Sequence, residues 1–104
     1  MINTLCPNIS GMILDMDGVL WVGNKQIGNL EQIFKKIADE NIEIVLATNN
    51  STKSVTTYQS LLKSFNVELN AHKIINSAMA AGYWLSHQYP SGGSIFILGE
   101  TGLQ

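Results

Sequence analysis

Asp15 and Asp17 stand two residues apart at the end of the apolar run Met12-Ile13-Leu14, where a buried strand ordinarily excludes charge. Side chains on a strand alternate faces with period two, so both carboxylates can project to one side while Met16 packs on the other. Such a pair suffers repulsion and desolvation unless a positive group lies close. A hard divalent cation such as Mg2+ is the natural neutraliser for oxygen ligands, and it would also attract a phosphate. Gly18 follows directly; it lets the backbone turn sharply and leaves neighbouring peptide groups open to a ligand.

A second polar group, Thr48-Asn49-Asn50-Ser51-Thr52, follows the apolar run "IEIVLA" at 42–47. Thr48 offers a hydroxyl, Asn49 and Asn50 offer amides, and the free backbone N–H groups of such a loop suit an oxyanion. Acids facing hydroxyl and amide donors suit a phosphoryl group. The same residue types also fill turns and cap helices, and the two roles coexist because a helix amino terminus binds anions. Lys53 reads as a solvated residue opening a helix rather than as a phosphate ligand. His72 and His87 lack Cys, His or Asp neighbours at metal spacing and read as surface residues. Trp21 and Trp84 read as packing residues, with Trp21 close enough to the acid pair to rim the site.

Positioning these groups falls to elements whose periods are legible. Met12 to Asp15 is of strand length and ends at Gly18. "LWVGNKQI" has two strand-like arms around Gly23-Asn24, residues that tolerate the positive φ of a tight hairpin turn. Leu30, Ile33, Phe34, Ile37 and Ala38 fall at helical spacing, with Asn29 and Gln32 placed like a capping box, and this helix should end near Asn41. The β-branched run at 42–47 predicts a second buried strand. A second helix carries Val55, Tyr58, Leu61, Leu62 and Phe65 behind Ser54 as N-cap. "HKIINS" at 72–77 predicts a short strand, residues 78–89 a third helix stopped by Pro90, and "SIFILGE" a last strand. Strands alternating with helices imply right-handed crossovers and a parallel sheet sandwiched between helix layers, an α/β fold. Ligands of open sheets bind beyond the carboxyl ends of the strands, where both polar groups fall.

The chain has 104 residues, 45% hydrophobic and 13% charged, which fits one packed domain. Six Lys+Arg, all lysine, against eight Asp+Glu leave a formal net charge of −2, without the basic surface that draws a phosphodiester backbone; nucleic acid is excluded as a partner. No apolar segment approaches the length of a membrane span, and the amino terminus lacks a signal-peptide pattern. The single cysteine, Cys6, cannot make an internal disulfide, so a reducing compartment, the cytoplasm, is expected.

"DMDGVLW" at 15–21 and "TNNS" at 48–51 together resemble the haloacid dehalogenase superfamily, in its 4-nitrophenylphosphatase, phosphoglycolate and pyridoxal phosphatase branch. "GNKQIGN" is similar to that branch's flap, "INSAMAAGYWL" to the helix after its third strand, and "IFILGETGL" to its "GEEGL"-type segment. The resemblance implies a Rossmann-like core in which Asp15 is the nucleophile and Asp17 the general acid and base. It further implies that the Asp15 carboxylate and the Asp17 backbone carbonyl hold Mg2+, and that Thr48, Asn49, Asn50 and Gly18 bind the phosphate. Small phosphorylated metabolites or nucleotides are the implied substrates.

The family's lysine and later acidic motif have no counterpart among Lys25, Lys35, Lys36, Lys53, Lys63 and Lys73, or in Glu68 and Glu100. Residues 1–90 are therefore expected to form the amino-terminal half of a core domain and 91–104 the start of a cap or linker. The later strands would be lacking, turnover by this chain alone weak or nil, and an unpaired sheet edge would favour a homodimer. Two other readings are a non-catalytic phosphate-binding or interaction module, and a receiver-like domain. The latter fits poorly because its paired acids and phospho-acceptor usually lie on different strands.

Overall fold

A computed structural model describes residues 8–99. Strand β1 (Gly11–Asp15) is followed by a hairpin of β2 (Trp21–Val22) and β3 (Lys25–Gln26), helix α1 (Leu30–Asp39), strand β4 (Glu43–Thr48) and helix α2 (Val55–Ser64). A 3-10 turn (Ala71–Lys73) then leads into β5 (Ile74–Asn76) and helix α3 (Ser77–Gln88). The α/β expectation holds: β1, β4 and β5 form a parallel sheet in the order β1-β4-β5.

Each helix starts where a side chain takes up an orphan N–H. Asn29 accepts from the Gln32 amide at 3.2 Å, Ser54 from Thr57 at 3.2 Å, and Asn76 from Met79 at 2.8 Å. The hairpin loop is Gly23-Asn24, and of the two only Gly23 has positive φ, at 61°, as a turn strained at its first central position requires. Gln26 ties the flap to α1 by accepting the Leu30 amide at 3.1 Å.

Register divides the sheet into two faces. Met12, Ile44, Leu46 and Ile74 lie on one, and with Phe34 and Ile37 of α1, Tyr58 and Leu62 of α2, and Met16 and Trp21 they form a single hydrophobic cluster. Ile13, Val45, Ala47 and Ile75 lie on the other, and there Ile13 is 76% exposed. The expected sandwich is thus half realised. Strand order runs in one direction without reversal, and right-handed crossovers then deliver both α1 and α2 to the same face. Helix α3 buries no residue and leaves the second face open. The predicted strand "SIFILGE" is also corrected: residues 94–99 pair with no strand and are exposed, and Glu100 lies outside the described residues.

At the far end of β4 from the polar loops, Lys73 Nζ sits 2.6 Å from Glu43 Oε2. The hydrogen bond and charge of Lys73 hold the Glu43 carboxyl below its ordinary 4.5. A depressed carboxyl stabilises the fold above its unfolded pKa, and that contribution is lost as pH falls through the folded value. Solvent screens so exposed a pair, so the effect is small. Lys73→Met should lower the neutral plateau of a urea-midpoint-versus-pH curve slightly, flatten its acid limb by the same amount and leave the acid end unchanged.

Candidate active site

Two strand ends meet at one edge of the sheet. β1 stops at Asp15, whose Oδ1 accepts the Met16 amide at 2.9 Å, and Met16 is wholly buried in the cluster. The chain then folds back tightly. Val19 and Leu20 both donate to the Met16 carbonyl, at 3.1 and 2.8 Å, and Gly18 donates to the Trp21 carbonyl at 2.8 Å. Gly18 has φ +82°, with nothing within 4 Å of where a Cβ would stand, so glycine is needed for its backbone conformation and not for space. Asp15 and Asp17 are both exposed on either side of buried Met16, as the period of two requires. Asp17 Oδ1 accepts the indole N–H of Trp21 at 3.1 Å, which fixes its orientation.

β4 stops at Thr48, which is 7% exposed. Its Oγ1 accepts the Asn50 amide at 3.0 Å. Asn50 closes a local turn, its Oδ1 accepting the Thr52 amide at 3.0 Å and the Thr52 hydroxyl at 2.6 Å. Tyr58 reaches up from α2 and donates to the Asn50 carbonyl at 3.4 Å. Burial pushes the Tyr58 phenol up; the neighbouring Thr48 hydroxyl works against this and the Asp17 charge adds to it. One aromatic side chain therefore senses both polar groups. Trp21 stacks on it with ring centroids 6.3 Å apart.

An open groove of about 630 Å³ runs along this edge, lined by Asp15, Thr48 and Asn49 together with Asn76 and Ser77. Three of the sequence-predicted residues thus share one groove. Asp17 and Gly18, on the turn after β1, and Asn50, engaged in its own turn, are not among its lining. By register Asp15 lies beside Ala47 and Thr48 beside Asn76, so Asp15 and Thr48 start from opposite faces and meet only because both strands end here. Trp21 is buried, so it packs beneath the site instead of rimming it.

Asn76 and Ser77 were missed from the sequence. The signal was available: a polar pair ends β5 just as Thr48-Asn49 ends β4. No lysine lines the groove. Among the described residues no three His, Cys, Asp or Glu side chains come together as a metal cluster. The Asp15 carboxylate that lines the groove is an oxygen donor of the hard type that Mg2+ takes. No helix of the described residues is long and apolar enough to cross a membrane.

Residues 12–104 match the family model described as haloacid dehalogenase-like hydrolase. The chain is 29% identical over 96 residues to an acid sugar phosphatase of Staphylococcus saprophyticus, covering 92% of this chain and 37% of that protein. It is 30% identical over 100 residues to a chloroplastic phosphoglycolate phosphatase of Arabidopsis thaliana, covering 95% and 28%. Among solved structures it superposes on a p-nitrophenyl phosphatase from Archaeoglobus fulgidus with a TM-score of 0.81 at 29% identity, covering 93% of this chain and 37% of that one. A hypothetical protein from Pyrococcus horikoshii gives a TM-score of 0.81 at 32% identity, covering 91% and 36%. The chain spans about a third of the length of these relatives.

Proposed function

The chain belongs to the haloacid dehalogenase-like hydrolases, and from that premise we propose that it carries the nucleophile and phosphate-donor half of a phosphomonoester hydrolase. The observation that supports this best is the shared groove of Asp15, Thr48 and Asn49 at the carboxyl edge of the parallel sheet. An Asp15 oxygen attacks phosphorus as the ester P–O bond breaks, giving an aspartyl phosphate. Asp17 gives its proton to the leaving oxygen, then takes one from the water that attacks phosphorus and restores the Asp15 carboxylate. The Trp21 N–H holds Asp17 in place for both transfers. Thr48 and Asn49 supply fixed dipoles to the phosphoryl oxygens, and the turns at Gly18 and Asn50, whose own N–H groups are taken by the Trp21 carbonyl and Thr48 Oγ1, hold the two loops in shape. The Asp15 carboxylate and Asp17 carbonyl would hold Mg2+, which when bound offsets phosphate charge.

In the same reading residues 1–90 are the amino-terminal half of the core and 91–104 the start of a cap or linker. The substrate is a small phosphorylated metabolite or nucleotide. With no lysine in the groove, turnover by these 104 residues alone is weak or absent. The single cysteine of these residues suits a reducing compartment, and the cytoplasm is the compartment proposed. A phosphate-binding module without chemistry is the second reading, favoured by the hydrogen bonds of Thr48 and Asn50, which fix the loop after β4 without involving Asp17.

Calorimetry with beryllium fluoride and Mg2+ separates the two. Saturable binding to wild-type protein that is lost in Asp15→Asn supports the hydrolase, because beryllium fluoride mimics phosphate only when joined to a carboxylate oxygen. Binding that survives in Asp15→Asn supports the module, and no response under any condition contradicts the hydrolase.

The free edge of β1 completes the proposal. β1 pairs only with β4 among the described residues, and its sequence Gly-Met-Ile-Leu-Asp has no lysine or proline to protect it. Antiparallel pairing with a second copy about Ile13 would set Gly11 against Asp15 and avoid like charges. Sedimentation velocity should show a dimer that Ile13→Lys converts to monomer; a monomeric wild type at the same concentration contradicts the pairing.

A further inference from the structure

We propose that Ser77 is a positioning residue for the Thr48 hydroxyl, acting through the peptide unit that joins Asn49 to Asn50. Ser77 opens α3, and its hydroxyl donates to the Asn49 carbonyl at 3.2 Å. The N–H of that same peptide unit belongs to Asn50 and donates to Thr48 Oγ1 at 3.0 Å. One planar group is thereby held at both ends, by a hydroxyl on its oxygen and a hydroxyl oxygen on its nitrogen. The next peptide unit is held as well, since the Asn50 carbonyl accepts from Tyr58 at 3.4 Å.

The direction of donation gives the arrangement its function. Ser77 O–H donates to the carbonyl, the peptide N–H donates to Thr48, and the Thr48 O–H, which neighbours the Tyr58 phenol, can turn its proton to an acceptor in the groove while Oγ1 stays held. Hydrogen bonds aligned in this way polarise one another, so each link strengthens the last donor. Without Ser77 the 49–50 peptide is held at one end only, and the N–H that fixes the Thr48 rotamer is less firmly placed. Ser77 is exposed and lines the groove itself, so its role does not depend on the hydrophobic core.

The inference rests on the assignment of Thr48 as a phosphate donor, and its test keeps the two apart. Wild-type, Ser77→Ala and Ser77→Thr proteins are titrated with inorganic phosphate by amide NMR, and the hydrogen-exchange rate of the Asn50 amide is measured without ligand. Alanine is a good helix former and Asn76 remains as the cap, so Ser77→Ala should keep its melting temperature. Loss of one hydrogen bond of ordinary strength should weaken phosphate binding about threefold to tenfold and speed Asn50 exchange by a similar factor. Ser77→Thr, which keeps the hydroxyl, should restore both. Phosphate affinity unchanged in Ser77→Ala while the wild type binds overturns the role and leaves the site intact. Unchanged Asn50 exchange overturns it whatever the ligand does. A wild type that ignores phosphate, with Asn50 exchange still accelerated in Ser77→Ala, overturns the assignment of Thr48 and the positioning role with it.

Discussion

Asp15→Asn should reduce p-nitrophenyl phosphate cleavage to the uncatalysed rate, whatever rate the wild-type chain sustains in Mg2+. A carboxamide is neutral and a poor nucleophile, and among the described residues no second carboxylate lines the groove to replace it. Residues that act as a unit fail together, so the loss should be as large as that from removing Asp15 and Asp17 at once, on the order of 10³-fold or more in an efficient enzyme. The fold should not suffer. Asp15 is exposed, and among the described residues its side chain makes one hydrogen bond, to the adjacent Met16 amide, which an Asn oxygen can still accept. Equal melting temperatures beside unequal rates are the expected pair of results. Equal rates, both above the uncatalysed one, would move the nucleophile elsewhere.

The second large effect is on stability. Trp21 is wholly buried, with ring centroids 6.3 Å from Tyr58 and 6.2 Å from Phe65, at the junction of flap, loop and α2. Trp21→Ala removes one of the largest side chains in the cluster and should cost about 3–5 kcal/mol, enough to unfold much of so small a domain. Urea denaturation reads this directly. Trp21→Phe separates packing from positioning: it keeps an aromatic ring but deletes the indole N–H that Asp17 accepts at 3.1 Å. Its expected stability loss is well below that of alanine. If the phosphatase reading holds, proton transfer by Asp17 should fall more than stability does. A Trp21→Ala protein as stable as wild type would mean that the cluster is not the core.

The site was legible wherever a strand end announced itself. An apolar run stopping at Asp15 and a β-branched run stopping at Thr48 placed both groups on one sheet edge, since parallel strands share their carboxyl ends. Caps were legible for the same reason: Asn29 and Ser54 stand just before helical periods, and each accepts the amide three residues on. What escaped was whatever depends on the order of strands in space. The open face carrying Ile13 and Ile75 follows from an order without reversal, and local periodicity does not encode that order. The strand expected at "SIFILGE" failed on the same ground, because β-branched composition supplies propensity but not a neighbour to pair with. Asn76 and Ser77 hid at the end of what read as a short strand, where no apolar run announced them. Trp21 was assigned to packing correctly, but its bond to Asp17 needed the turn at Gly18 to be seen.

The most direct measurement is the mass of the protein quenched in acid after exposure to p-nitrophenyl phosphate and Mg2+, made on Asp17→Asn. Nitrophenolate leaves without needing a proton, so the first transfer should survive in this variant, whereas the water that cleaves the intermediate has lost its base. The expected result is one added phosphoryl group, mapped to the peptide containing Asp15 and released by hydroxylamine. Protein that stays unmodified, or a phosphoryl group found on Thr48 or Ser51 instead, would contradict the account.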